Sequence, residues 1–555
     1  MLTFIKKMFR TNDSKAKDNY SIESRTEISP KANLTGDELK NLAYARMREG
    51  QIAEAKELYK KALVINPNLE NVHSMLGYIC REQGKLLEAE AYLGQALQIN
   101  PLNGDAHFML AGIAMSKGDT KTAIDGYLQA VKIDPQLCFA HKELCVAYLQ
   151  TGNLLKAEEA ATRGLEFFPD FDELHFFMGI LHYSQNRYKK AHESFERALA
   201  LECNTSDLHY NYGLTLQALN RLDEALYHFE KAVNLSQGNV TEIRFNESIC
   251  HLLMGDFDRG LKKYELRWQT KAMHEKEALF TQPKWLGEQS LDGKTLLIVA
   301  EQGYGDVIQF IRYTNLAIAQ GAKILLMLFD PLAPLMQQLA GGSKILSIND
   351  PLPHFDYYCP VMSLPLAFKT TLDTIPAFSS YLHADPKLTS EWQETLGESR
   401  KLKIGIAWSG NPMHVNDKNR SMELQKILPL FDNEELFVCV QKEILPSEQT
   451  VLSNLKNARH YGEKMPDFAS TAALINALDL IICVDTSSAH LAAAMGKTVW
   501  LMLPFHPDWR WLLERDTSPW YPSMRLFRQQ SIGDWESVIY QVNKELENFL
   551  HVMKH

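Results

Sequence analysis

The chain has 555 residues, 45% hydrophobic and 23% charged, with a formal charge of −10. That length can bury two or three separate cores, and the acidic balance argues against a general nucleic-acid binder, which needs a basic face to neutralise phosphates. Eight cysteines without a C-x-x-C pair fit reduced thiols in a cytoplasmic protein and not a disulfide framework.

Residues 1–34 open with an apolar, basic stretch, Met1 to Arg10, followed by polar sequence without a signal core or cleavage site. They are expected to be a flexible lead-in, with a weak membrane-surface contact through Phe4, Ile5 and Phe9 as the alternative. No transmembrane segment is expected anywhere. From there six alanines, Ala55, Ala89, Ala123, Ala157, Ala191 and Ala225, stand 34 residues apart. Other slots keep the same phase. Leu42, Leu76, Leu110 and Leu144 share one, Gly50, Gly84, Gly118 and Gly152 fill a turn, and Pro67, Pro101, Pro135 and Pro169 stand where a helix must stop. Asn186 and Asn220 replace the turn glycine in the later repeats, because Asn also tolerates the left-handed conformation. A slipped seventh unit follows at Gly255-Asp256-Phe257, with Gly260 in the alanine slot. The pattern resembles the tetratricopeptide repeat, a helix pair in which small residues allow close approach, and it predicts an α-helical solenoid over 35–270.

Five histidines, His73, His107, His141, His175 and His209, recur with the same period and imitate a metal cluster. Zinc ligands lie about 2 Å from one ion, whereas successive repeats are stacked about 10 Å apart, so these histidines are read as structural. Two Asp-Phe-Asp triplets, at 170–172 and 256–258, fall at repeat turns and are read as helix caps, not as a metal-binding carboxylate pair. No metal site is expected.

Residues 271–390 form the first of two expected Rossmann-like halves. The apolar run 295–300 reads as a strand buried on both faces, Val307 to Gln320 as a helix, and Lys323 to Phe329 as a second strand, which makes a βαβ unit. The loop between the first strand and the helix contains Gly303, Tyr304, Gly305 and Asp306. It carries two glycines of a dinucleotide fingerprint, but Ile308 stands where the third belongs, and Asp306 would repel a pyrophosphate. Asp306 is therefore read as facing the cleft, with a simple helix cap as the alternative. At about 90 residues this half is small, and it is expected to need the repeats packed against it.

The second half, 391–532, predicts strands at 403–408, 436–441, 480–484 and 498–503. After the first comes a loop with Ser409, Gly410, Asn411, Lys418 and Arg420, and after the second come Gln441 and Lys442. Lys418 and Arg420 are placed to neutralise a diphosphate, Arg420 by two-pronged contact. After the third strand Asp485, Thr486, Ser487, Ser488 and His490 lead into an alanine-rich helix, where hydroxyls and free amides suit a phosphate. Trp509, Arg510 and Trp511 fit either a pocket wall or the core. A last helix at 533–555 is available to cross back and tie the halves together.

Several motifs then occur in order: G-x-G-D with Val307 to Tyr313, N-P-x-H-x-N-D-x-x-R-S at 411–421, and V-D-T-x-x-A-H-L-A at 484–492. Leu503 to Trp511 and Ser518 to Pro522 follow. Together they resemble the bacterial inverting glycosyltransferases of the heptosyltransferase type, and more closely the bacterial proteins in which tetratricopeptide repeats are fused to such a domain. The resemblance implies a GT-B fold, a nucleotide sugar as substrate held by the second half, no cofactor and no obligatory metal. It also implies an acceptor between the first half and the repeats, with Asp306 as the catalytic base. The chain is similar as well to O-GlcNAc transferase. It departs from that enzyme in lacking its asparagine ladder, since the matching slot reads Asn41, Met75, Met109, Glu143, Phe177 and Asn211.

The leading functional expectation is transfer of a sugar to Ser or Thr of a protein, flagellin-like or another surface protein, recruited by the concave face of the repeats. The alternatives are transfer to a glycolipid or surface polysaccharide, and an inactive repeat scaffold.

Overall fold

The computed structural model describes residues 34–554, apart from 270–272, 274–276, 278, 340–343, 348, 399–400 and 415. The N-terminal lead-in up to residue 33, with its expected membrane contact, lies outside the described residues. From Gly36 to Tyr264 the chain runs as helix pairs, Gly36–Arg48 with Ile52–Ile65 first and Thr241–Leu253 with Phe257–Tyr264 last. The six period-setting alanines are all 0% exposed, because each sits where the paired helices touch. In the seventh pair the helices come closer still. A Cβ on Gly260 would lie 2.7 Å from the Leu252 side chain, which is why glycine takes the alanine slot there. The turns have φ of 78° at Gly50 and 59° at both Asn186 and Asn220, the left-handed conformation the sequence pattern calls for.

The repeat histidines act within their own repeats. His73, His107, His141 and His175 each bring Nε2 to the carbonyl of the proline six residues earlier, at 2.9, 3.1, 3.0 and 2.7 Å. His209 has no such proline and meets Asn204 Oδ1 at 2.8 Å instead. Among the described residues no group of three or more His, Cys, Asp or Glu is placed to hold a metal ion. The two Asp-Phe-Asp triplets part company. Asp256 caps the helix beginning at Phe257 by accepting from the Arg259 amide at 3.2 Å. At 170–172 the cap position falls on Phe171, and Asp170 pairs with Arg197, so the cap reading is corrected there.

The chain divides between Thr215 and Leu216 into two compact units. The second unit holds helices Leu222–Leu235, Thr241–Leu253 and Phe257–Tyr264 together with two parallel sheets. The first sheet joins β1 (Thr295–Val299), β2 (Lys323–Leu328), β3 (Lys344–Ser347) and β4 (Tyr357–Pro360) in the order β3-β2-β1-β4. The second joins β5 (Lys403–Ala407), β6 (Leu436–Cys439), β7 (Ala458–His460), β8 (Leu480–Val484), β9 (Val499–Leu503) and β10 (Met524–Arg528). Its order from one edge is β7-β6-β5-β8-β9-β10, the doubly wound 3-2-1-4-5-6 arrangement. Strands β8 and β9 are buried along their whole length, as continuous apolar runs in parallel sheets must be.

The last helix, Trp535–Lys554, does not cross back. Trp535, Val538, Ile539, Val542, Leu546 and Leu550 line one face and bury themselves in the core of the second sheet with Ile404, Phe437 and Trp500. Burying each of these large apolar side chains is worth about 1.5–3 kcal/mol, so the helix is fixed to that half. Helix Pro386–Leu396 also belongs there, with Trp392 Nε1 donating to the Ser470 carbonyl at 3.2 Å. Among the described residues no helix is long and apolar enough to cross a membrane.

Candidate functional site

In a doubly wound sheet the crevice opens beyond the carboxyl ends of the two strands where the winding reverses. Here those strands are β1 and β4 in the first sheet and β5 and β8 in the second. The glycine loop with Asp306, the loop from Ser409 to Arg420 and the segment from Asp485 to His490 all begin at these ends.

At the end of β1, Gly303 leads into helix Tyr304–Phe310. Asp306 turns back so that Oδ2 accepts from the Gly303 amide at 2.7 Å, and Oδ1 accepts from Arg510 Nη2 at 2.5 Å. Gly305 is glycine for reasons of space: a Cβ there would lie 2.9 Å from His490 Cδ2. Helix Tyr304–Phe310 therefore packs against helix Ser487–Ala494 of the second half. Tyr304, 40% exposed, has its ring against Phe329 and against Phe468 of the second half, with centroids 5.5 and 5.1 Å apart.

At the end of β8 the pattern is denser. Asp485 Oδ2 accepts from Trp511 Nε1 at 2.9 Å, and Oδ1 lies 3.6 Å from His490 Nε2. Burial alone would push this carboxyl up, but the His490, Trp511 and Arg420 groups outweigh it and hold the carboxyl down at about 2. His490 is 5% exposed, with Nδ1 3.0 Å from the Tyr521 hydroxyl and its ring stacked on Trp511. Both of its ring nitrogens thus face protein groups. Where a phosphate contact was expected of His490, the structure has the ring buried and held by Tyr521, Asp485 and Trp511. Thr486 occupies the N-cap position of helix Ser487–Ala494, yet its hydroxyl does not cap. Among the described residues Thr486 Oγ1 is buried with no hydrogen-bond partner. Ser488 Oγ donates to the Val440 carbonyl at 3.3 Å.

Arg420 reaches this helix start from the β5 loop, with Nη1 donating to the Asp485 carbonyl at 3.1 Å and Nε 3.4 Å from Asp417 Oδ1. Gly410 makes room for it, since a Cβ would stand 2.6 Å from Arg420 Nη2. Ser421 Oγ accepts from the Gly410 amide at 2.9 Å and donates to Asp417 Oδ1 at 2.7 Å, which fixes the loop. Ser409 and Gln441 hold each other: Gln441 Oε1 accepts from the amides of Trp408 and Ser409, and its Nε2 donates to Ser409 Oγ at 2.9 Å. Gln441 is 8% exposed, so its expected place among donor contacts is corrected to that of a latch behind the loop. Asn411 and Lys418 are exposed on the same loop, and exposed Lys442 donates to the Pro466 carbonyl at 3.3 Å. Exposed His414 lies within electrostatic reach of Arg420, Asp485, Asp508 and Asp306, so these groups share one neighbourhood.

Three residues that the sequence left between pocket and core prove to be core with a polar purpose. Trp509, Arg510 and Trp511 form one short turn after β9, buried at 3, 5 and 0% exposure. Trp509 packs its ring against Phe310 and against Phe257 of the seventh repeat. Arg510 bonds Asp508 as well as Asp306, and those two carboxylates keep its guanidinium firmly protonated despite burial. Sequence reasoning also missed Arg312, whose fork donates to the Trp520 carbonyl at 2.6 Å and the Tyr381 hydroxyl at 3.0 Å. It missed Arg267 just after the last repeat too, which grips Glu301 at the end of β1 through two bonds of 2.9 Å and reaches Ser363 at 2.8 Å. The available signal was an arginine flanked by apolar or aromatic residues, Ile311 and Tyr313 for Arg312 and Leu266 and Trp268 for Arg267. The Arg267 grip ties the turn after the last repeat to the small first half.

Models of the tetratricopeptide repeat match residues 36–69, 81–140 and 176–240. A curated relative is Protein FlbA of Caulobacter vibrioides, 24% identical over 341 residues, which are 57% of this chain and 56% of that protein. The chain thus spans little more than half of the curated relative it matches. A solved tetratricopeptide repeat protein from Parabacteroides merdae is 20% identical, with 43% of this chain and 96% of that one covered and a TM-score of 0.33. Pseudomonas aeruginosa pilF is 16% identical, with 38% and 97% covered and a TM-score of 0.34. The N-terminal part of this chain is a helical solenoid of tetratricopeptide repeats, followed by a region built on two parallel sheets.

Proposed function

We propose that the chain is an inverting glycosyltransferase of GT-B architecture that moves a sugar from a nucleotide-sugar donor to Ser or Thr of a protein recruited by the repeats. The carrying observation is the start of helix Ser487–Ala494. Its cap hydroxyl, Thr486 Oγ1, is buried without a partner, and the Arg420 guanidinium stands against the carbonyl just before it. A helix start offers unpaired amides and the positive end of a dipole, and an arginine fork matches phosphate oxygens. A diphosphate seated there gives Thr486 a partner and meets the charge of Arg420.

In the reaction the acceptor hydroxyl gives its proton to Asp306, and its oxygen attacks the anomeric carbon. The bond from that carbon to the diphosphate oxygen breaks, the nucleoside diphosphate leaves with the electron pair, and configuration inverts. A positioned carboxylate base contributes about 10²- to 10⁴-fold, and Arg420 with the helix amides offsets the charge that builds on the leaving group. The step calls on no metal ion. Support for a protein acceptor comes from the long repeat array, whose extended surface suits a polypeptide.

Co-expression with candidate acceptors, a flagellin-like protein first, followed by intact-mass measurement, tests this reading. A discrete increment with wild type and none with Asp306→Asn supports it. Transfer to a lipid acceptor alone moves the acceptor to the glycolipid class. A folded enzyme that neither turns over any nucleotide sugar nor binds a nucleoside diphosphate sinks it.

A further inference from the structure

The turn from Asp508 to Trp511 touches, with successive residues, three parts of the second unit. Trp509 packs on Phe257 of the seventh repeat and on Phe310 of the first half, with ring centroids 5.8 and 6.2 Å apart. Arg510 bonds Asp306, and Trp511 bonds Asp485. The side chain of Arg510 leaves the second half and ends on a carboxylate of the first. Its guanidinium lies over the rings of Phe310 and Trp509, 5.3 and 4.9 Å from their centroids. Asp508 holds the other arm of the fork at 2.7 Å and also accepts the Arg510 amide at 3.0 Å. An arginine walled by two rings and gripped at one arm has few rotamers left, so the remaining arm presents a fixed donor to Asp306.

We infer that Arg510 is the positioning residue that sets Asp306, in the first half, in register with the anion-binding helix start of the second half. The inference rests on the reading of Asp306 as the base. Among the described residues Asp306 has one other side-chain hydrogen bond, from the Gly303 amide at the start of its own short helix. That bond does not refer its carboxylate to the donor side. Arg510 does so, because its neighbour Trp511 is bonded to Asp485 immediately before the helix start. The same turn carries Trp509, so the last repeat, the base and the donor loop share one rigid reference.

Steady-state transfer kinetics and nucleoside-diphosphate affinity for Arg510→Gln, Arg510→Lys and Asp508→Asn test the inference. Arg510→Gln is expected to lower kcat about 100-fold, the cost of a base misplaced by about 1 Å, with diphosphate affinity within twofold of wild type. Arg510→Lys keeps the charge but not the fork, and is expected to lose about 10-fold. Asp508→Asn, which preserves the turn but loosens the fork, is expected to lower kcat in the same direction by less. Guanidinium ion in the buffer is expected to restore part of the kcat of Arg510→Ala. Transfer by Arg510→Gln at the wild-type rate overturns the inference and leaves the proposed function standing. Equal loss of kcat and of diphosphate affinity in all three variants overturns it too, because Arg510 would then be a strut for the whole fold. Failure of the proposed function is a different result: wild type itself transfers nothing.

Discussion

The repeat turns and the strand-end loops use the same polar residue types in opposite ways. At the repeat turns His141 meets the carbonyl of Pro135 and Asp119 accepts the amide of Thr122, each within its own repeat. At the strand ends the bonds cross between elements far apart in sequence, as from Arg510 to Asp306, from Trp511 to Asp485 and from Arg312 to Trp520. One hydroxyl there, Thr486 Oγ1, is left with no partner among the described residues. The turn residues shape their own repeat, whereas the strand-end groups tie separate loops together around the Thr486 hydroxyl. Asn220 does both inside the array: its turn conformation is that of any repeat, but its amide donates to the Phe505 carbonyl at 2.7 Å. That repeat touches the sheet region, as the seventh does through Phe257 and Trp509.

The sharpest break in the comparison is expected at Asp306. Asp306→Asn keeps the size and the bond from the Gly303 amide but removes the proton acceptor, so transfer should fall about 10²- to 10⁴-fold with diphosphate affinity retained. Initial-rate assays beside a binding titration check this. Asp485 is expected to act on stability first. Asp485→Ala strips partners from buried Trp511 Nε1 and from His490, and should cost about 3 kcal/mol in denaturant unfolding. Its pH dependence has a definite sign. The folded carboxyl is held below its ordinary value, so its contribution is present above the unfolded value of about 3.9 and is lost as pH falls toward about 2. The denaturant unfolding midpoint of Asp485→Asn should therefore fall less than that of wild type as pH is lowered from about 4 toward about 2. Smaller again is Arg420→Ala. Nucleoside-diphosphate affinity should drop about 10- to 100-fold while the fold is unaffected, because its main partner, the Asp485 carbonyl, is a backbone group.

How much of this was legible in sequence follows the same division. Strands β1, β2, β5, β6, β8 and β9 read directly as apolar runs. The four missed strands were short or mixed: β3 is a half-exposed edge, β4 is four residues ending in Pro360, β7 is three residues with an exposed Arg459, and β10 carries Arg525 and Arg528 beside apolar residues. Asp306, Arg420 and Thr486 were legible because the strand before each fixes where the loop opens. Gln441 and His490 were placed correctly along the chain, while their protein partners were not legible. Whether a strand-end polar group faces the crevice or the layer beneath depends on partners 31 to 33 residues away, Tyr521 and Trp408. Arg510 was illegible for the same reason, with its partner 204 residues distant. The proline carbonyls that hold the repeat histidines were legible in principle, since each lies six residues before its histidine and is absent only where His209 turns to Asn204.

Those histidines give the smallest effect and the cleanest check on the local side of the comparison. His141 is 2% exposed and His175 is not buried, yet both make the same bond to a proline carbonyl. If the bond is the whole role, replacing either ring by phenylalanine removes one donor and keeps the packing. A buried carbonyl left without its donor costs about 1–3 kcal/mol, while one that water can reach costs little. His141→Phe should therefore lower the unfolding free energy by about 1 kcal/mol and His175→Phe by less than about 0.5 kcal/mol. Zinc titration of wild type should leave the melting temperature unchanged, because Nε2 of His73, His107, His141 and His175 already meets a proline carbonyl in its own repeat. A stabilisation by zinc that vanishes in both variants would show the rings acting together across repeats, and would remove the line drawn between locally satisfied turns and the strand-end site.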